Sequence, residues 1–155
     1  MEECIRRAIA TYPNLQIIFN FSGDEEKEDA VAMYNNLGQP KQIFIHVEAK
    51  GLRELASLIS NCDFFFGNEG GPRHLAQALD VPSIAYFSPG SPYKRWLPEA
   101  SERFQALSHE NILSLEESKD MEYELLIKSV TPDMVWKRLD PLLAKIVDIK
   151  SSNKE

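Results

Sequence analysis

The chain has 155 residues, 43% of them hydrophobic and 26% charged, which is ordinary for a globular domain with a core of its own. A net charge of −7 argues against a nucleic-acid-binding protein, which needs a basic face. No apolar run approaches the length of a membrane span, and the opening Met-Glu-Glu-Cys-Ile-Arg-Arg holds no apolar signal core. Cys4 and Cys62 lack metal-ligand spacing, so free thiols are expected, Cys62 buried, in a cytoplasmic protein.

In chain order, residues 2–11 read as a helix, with Ile5 and Ile9 four apart, broken at Pro13-Asn14. Leu15 to Phe21 reads as a strand. Ser22-Gly23 turns into a helix over 24–36 that Gly38 ends. The acidic run Asp24, Glu25, Glu26, Glu28 and Asp29 opens it as a solvated face, where negative charge suits the helix N-terminus. Gln42 to Val47 is a second strand, and Leu52 to Ser60 a helix with apolar residues at 52, 55, 56, 58 and 59. Strand 63–67, helix 72–79 and strand 83–87 follow.

Residues 88–98 form a loop rich in Pro, Ser and Gly, with Tyr93, Lys94, Arg95 and Trp96 inside it. Phe104 to Leu107 is a last short strand. Residues 111–129 carry no clear pattern. Thr131-Pro132-Asp133 starts a capped helix that runs to about 149, with a bend expected at Pro141. The predicted domain covers 1–150, and 151–155 are a frayed tail. Strands alternating with helices predict an α/β fold, a parallel sheet wrapped by helices.

Residues 63–79, Asp-Phe-Phe-Phe-Gly-Asn-Glu-Gly-Gly-Pro-Arg-His-Leu-Ala-Gln-Ala-Leu, carry the chemistry. Three aromatics in a row read as a strand buried on both faces. Gly70 and Gly71 let a ligand approach the backbone with no Cβ in the way. Pro72 fits the first helical position, and the free N–H groups beyond it form an anion site. A phosphate or diphosphate belongs there. Glu69 lies at the strand's carboxyl end, where open α/β sheets place their ligands. His74, in the first helical turn, reads either as a donor to the anion or as a structural residue. Arg73, His74, Lys94 and Arg95 are candidates for a local basic pocket in this acidic chain. No metal-ligand cluster is visible.

This stretch resembles the second half of the family 9 glycosyltransferases, the lipopolysaccharide heptosyltransferases. The family pattern is an apolar helix ending in Ala-Asp, an apolar strand, Gly-Asn-Asp-Ser/Thr-Gly-Pro-Met-His-Leu-Ala, Leu-Gly-x-Pro, a strand, and Gly-Pro-Thr-x-Pro. The matching residues are Leu55 to Asp63, Phe64 to Phe66, Gly67 to Ala76, Leu79 to Pro82, Ser83 to Phe87, and Ser88 to Pro92. The likeness covers about 15–98. It implies the C-terminal, Rossmann-like domain of a two-domain GT-B enzyme that holds a nucleotide sugar, usually ADP-heptose, without cofactor or metal. It also implies a glycan or lipid-linked saccharide acceptor, and work in the cytoplasm or peripherally at the inner face of the inner membrane.

By position, the resemblance assigns Glu69, Gly70, Gly71 and His74 to the diphosphate and sugar, with His74 as the catalytic donor. Glu69 replaces the family's Asp, Gly70 its Ser or Thr, Arg73 its Met, and Ser88-Pro89-Gly90 its Gly-Pro-Thr. Arg73 either adds charge to the phosphate site or lies on the helix surface. Glu48, after strand 42–47, stands where a carboxylate bonds ribose hydroxyls.

The family's first domain, with its acceptor site and catalytic base, is not in the chain, nor is the first strand of the second domain. A truncated donor half, inactive alone, is therefore expected. In the strand order 3-2-1-4-5-6, strands 15–21 and 63–67 both lose their central partner. They then either stay apart or pair directly. Three other readings compete: a GT-B nucleotide-sugar 2-epimerase, a stand-alone nucleotide-binding module without chemistry, and a flavodoxin-like receiver or electron carrier. The His-Leu-Ala continuation favours the first reading over the epimerase. The last lacks an acidic phosphorylation cluster or flavin loop.

Overall fold

The computed structural model describes residues 1–91, 93–97 and 101–152. They form two compact units, one of Met1–Lys50 with the chain from Trp136 on, the other of Gly51–Val135. Helices flank parallel strands in both, so the predicted α/β class holds.

In the first unit, α1 spans Glu2–Thr11. Its solvent face is tied by Arg6 to Glu2 at 3.0 Å and Arg7 to Glu3 at 2.9 Å, each one helical turn apart. The opposite face buries Cys4, Ile5 and Ala8. β1, Ile17–Ile18, pairs in parallel with β2, Ile43–Phe44. Both strands are much shorter than the 15–21 and 42–47 expected. Ile43 and Ile45 are buried while Phe44 is 40% exposed and residues 46–48 are exposed, so only one face of the second apolar run is covered and its end has no burial. Helix α2, Gly23–Asn36, has its acidic residues in the first turn and buries nothing, as a solvated face should.

Helix α8, Pro132–Ser152, begins in the second unit and continues in the first. It runs through Pro141 and on into the segment expected to fray; 153–155 lie outside the described residues. Leu139 and Leu143, one turn apart, are buried. The Tyr12 hydroxyl donates to Asp140 Oδ1 at 2.7 Å. Burial first, then that bond and the charge of Asp140, raise the Tyr12 phenol from 10.0 to about 12.

The folded state therefore holds this proton more tightly than the unfolded chain does. The stability it contributes is complete below pH 10.0 and is lost as pH climbs to about 12. The stability advantage of wild type over Tyr12→Phe should shrink across that window by about 1–2 kcal/mol, solvent screening moderating the effect at a half-buried site. Urea unfolding of both proteins at stepped alkaline pH reads it. A constant difference would show the phenol is not perturbed.

In the second unit, α3 spans Leu52–Ser60, β3 Phe65–Asn68, α4 Gly71–Ala78, β4 Ser83–Tyr86 and β5 Phe104–Leu107. The sheet is parallel, in the order β3-β4-β5. Ile59, Ala76 and Val81 form one cluster between α3, α4 and the turn into β4. Ala85, Phe87, Leu97 and Ala106 form another. The aromatic run Phe64 to Phe66 is only half-buried, against the expectation of a strand buried on both faces. β3 is an edge strand; β4, between its neighbours, is the buried one, with Ile84 and Ala85 at 0% exposure. β1 is paired with β2 alone and not with β3, so the strands form two sheets.

Asp80 occupies the position that the pattern Leu-Gly-x-Pro gives to glycine, with φ 57°. A short polar side chain tolerates the left-handed turn that ends α4. Arg103 donates to the Asp80 carbonyl at 2.6 Å and pairs with its carboxylate at 3.1 Å. The loop after β4 contains a short helix, α5, over Tyr93–Trp96. Pro92 and Pro98 of the expected loop, and residues 99 and 100 after it, lie outside the described residues. The patternless 111–129 stretch resolves into a 3-10 turn at His109–Asn111 and two helices, α6 Leu115–Ser118 and α7 Tyr123–Ser129. Ser114 and Glu117 close a capping box on α6. Among the described residues no helix is long and apolar enough to cross a membrane.

Candidate functional site

The site is the junction of β3 and α4. Parallel pairing of Asn68 with Tyr86 ends the strand, and the Glu69 N–H is caught by the Tyr86 carbonyl at 2.8 Å. That bond fixes where the chain leaves the sheet. Gly70 follows with φ 152°, a conformation that L side chains rarely adopt. Pro72 sits in the first turn of α4 as expected. His74 N–H closes the first helical bond on the Gly70 carbonyl at 3.2 Å. No side chain caps the helix. The amides of Gly71 and Arg73 therefore keep their orphan donors at the positive end of α4. A Cβ placed on Gly71 would meet nothing within 4 Å, so the protein itself leaves that side of the turn open.

Glu69 and His74 flank the turn, with Glu69 Oε1 4.0 Å from His74 Nε2. The His74 side chain is 43% exposed, and its ring meets the edge of the Trp96 ring with centroids 5.7 Å apart. Arg73 takes neither of the places expected for it. It is 1% exposed, neither on the helix surface nor open to a phosphate. The post-β4 loop covers it: Nη2 donates to the Trp96 carbonyl at 3.2 Å, and the guanidinium lies 5.8 Å from the Phe87 ring centre. Burial pushes its guanidinium below the usual range, and the charge of Glu69 pulls the other way.

Glu69, Gly70, Gly71, Arg73 and His74 are thus brought together within the second unit. Glu48 is exposed and belongs to the first unit. Three participants escaped the sequence reading. Gln77 accepts from Arg73 Nη1 at 2.7 Å, a contact readable from its spacing of four along the helix. The Tyr86 carbonyl anchors the turn, and Phe87 floors the arginine; neither carries a local sequence signal. The Tyr86 hydroxyl is raised by burial, then by Tyr123. Lys94 and Arg95 stack on Tyr93 and Trp96, each 5.8 Å from the ring centre. Among the described residues no three His, Cys, Asp or Glu gather as a metal site.

This glycine turn has an acid before it and a histidine in the first helical turn. Residues 7–124, which include all of it, match glycosyltransferase family 9 (heptosyltransferase). The chain belongs to this family. A lipooligosaccharide heptosyltransferase 2 of Haemophilus influenzae is 33% identical over 95 residues, 61% of this chain and 28% of that protein. A lipopolysaccharide heptosyltransferase 1 of Campylobacter coli is 33% identical over 87 residues, 56% of this chain and 25% of that protein. The family 9 chain therefore spans about a quarter of the length of these curated relatives. No solved structure matches it.

Proposed function

We propose that this family 9 chain forms the nucleotide-sugar donor site of a heptosyltransferase-type glycosyltransferase, with ADP-heptose or a related nucleotide sugar as donor. The observation that carries the reading is the uncapped N-terminus of α4 behind Gly70 and Gly71, flanked by Glu69 and His74. The diphosphate lies over the glycine backbone. As the bond to the sugar breaks, charge grows on the leaving phosphate oxygen. Amides held in place before the reaction, and the imidazole N–H of His74, stabilise that charge without reorganising.

The acceptor, a glycan or lipid-linked saccharide, and the base that activates its hydroxyl belong to a partner half in this reading. Its place of work is the cytoplasmic side of the inner membrane, reached peripherally. ADP binding without any transfer, in a protein that carries both halves, would favour the stand-alone nucleotide module instead.

Gly71→Val tests the turn. The structure leaves space for a Cβ at this position, so the fold should persist, while the branched group beyond it occupies the approach to the amides. Calorimetry with ADP on the wild-type and variant chains should show binding reduced at least ~100-fold, the order expected when charge-assisted bonds to a diphosphate are lost. Equal affinities would reject the turn as the phosphate site.

A further inference from the structure

Beside Arg73 Nε, two buried side-chain atoms find no hydrogen-bond partner among the described residues: the Tyr86 hydroxyl and His109 Nδ1. His109 is 9% exposed. Native structures rarely leave such groups unpaired without a reason, because their lost hydration is not replaced. The sheet puts both on one face. Tyr86 pairs with Leu107 in the parallel register, and paired residues share a face. Ser108 is still extended, at φ −145° and ψ 150°, so the alternation carries on from Leu107 to His109. Asn68, which pairs with Tyr86 from the other side, falls on the same face and is exposed. The opposite face carries Ala85, Phe87 and Ala106, with Tyr93 and Leu97 packed on it. Asn68, Tyr86 and His109 thus make a polar row across the carboxyl ends of β3, β4 and β5, where α/β sheets place their ligands.

Helix α7 lies against this row. It packs on the 3-10 turn that carries His109, and Tyr123, its first residue, acts electrostatically on the Tyr86 hydroxyl. The helix has only seven residues, and Tyr123, Leu125 and Ile127 are all exposed. With so little apolar surface buried, it opens far more readily than the sheet beneath it. We propose that Asn68, Tyr86 and His109 form a binding site for a neutral, hydroxyl-rich ligand of the saccharide class, with α7 as its flap. Tyrosine and asparagine side chains each donate and accept, and Nδ1 does one or the other according to tautomer. A hydroxyl answers all three. The charged residues of the 3-10 turn and α7 are Glu110, Glu124 and Lys128, the lysine paired with Glu124 at 3.5 Å, so these elements spare no cation for an anion. An apolar ligand would leave the buried atoms as unpaired as before. Neighbouring strands lie about 4.8 Å apart, so the row is longer than a single water can bridge.

The test titrates the chain, labelled with 13C in its tyrosine rings and 15N in its histidines, with D-glucose and D-mannose, and in parallel with inorganic phosphate. Tyr86→Phe and His109→Gln assign the two signals by their loss. Either sugar, in the millimolar range, should move both signals and slow amide exchange in α7, whereas phosphate should move neither. Tyr86→Phe should weaken sugar binding about tenfold, the effect of one lost hydrogen bond. The same variant should raise the melting temperature of the sugar-free chain by about 2–4 °C, because it deletes a buried hydroxyl that has no partner.

Sugars that move neither signal overturn the proposal, and so does phosphate that moves both. An unchanged or lower melting temperature in Tyr86→Phe overturns it as well, since an internal water would then already satisfy the hydroxyl. Asn68→Ala, at an exposed position, keeps the fold and should also weaken sugar binding; wild-type affinity in both variants removes the site. None of this depends on whether ADP binds at the glycine turn.

Discussion

If His74 donates to the leaving diphosphate as proposed, His74→Ala should lower turnover about 10²–10³-fold while leaving ground-state donor affinity nearly intact, the effect of losing one preorganised donor. The structural alternative predicts the opposite pattern, a lower melting temperature with the rate per folded molecule preserved. The geometry favours the first. The side chain is 43% exposed, so truncating it removes little buried surface. Its ring is nevertheless held by Arg73 and by the edge of Trp96, an arrangement that fixes direction. Single-turnover rates and thermal melts on a protein carrying both halves separate the two. A variant with the wild-type rate and a lowered melt would assign His74 to the scaffold.

Phe87→Ala should cost about 3–5 kcal/mol, the largest stability effect expected of a single core truncation here. Phe87 is 0% exposed and packs with Ala85, Leu97 and Ala106. Its N–H bonds the Leu107 carbonyl at 2.8 Å, which carries the β4–β5 ladder one residue further. The ring also meets Tyr93 edge-on at 6.2 Å and lies 5.8 Å from the Arg73 guanidinium carbon. Removing it therefore opens a cavity under α5 and takes away the face on which the arginine rests. Amide exchange at Ile84, Ala85 and Ala106 should accelerate accordingly. Protection within about 1 kcal/mol of wild type would mean that this cluster does not hold the sheet.

The helices were legible because helical signals are local. α1 and α3 were bounded to the residue by their turn-to-turn apolar spacing, and α4 to within one by Gly-Gly-Pro. The glycine turn into α4 was legible for the same reason. Strand extent was not. The runs 15–21 and 42–47 look like strands in isolation, but how far a ladder extends depends on its partner strands, and these two pair only with each other, which no single segment encodes. The Phe-Phe-Phe run reads as a strand buried on both faces, but strand order decides burial, and the order places β3 at an edge. Ser114-x-x-Glu117 is a readable capping signal in the stretch that carries no other clear pattern. Arg73 was the hardest. A charge next to a glycine turn reads as surface or ligand site, and its burial depends on Trp96, 23 residues away.

Cys4 is 1% exposed and lies in the first unit, whereas Cys62, half-buried rather than buried as expected, lies in the second. Each unit thus carries one thiol, and neither thiol is in a disulfide. A thiolate attacks a reagent only when the reagent reaches it, so the labelling rate at each position is governed by the opening of its own surroundings. Mass-resolved labelling of the unmodified protein would assign an opening free energy to each half of the chain separately, with no engineered probe. It would also show which half a bound nucleotide protects.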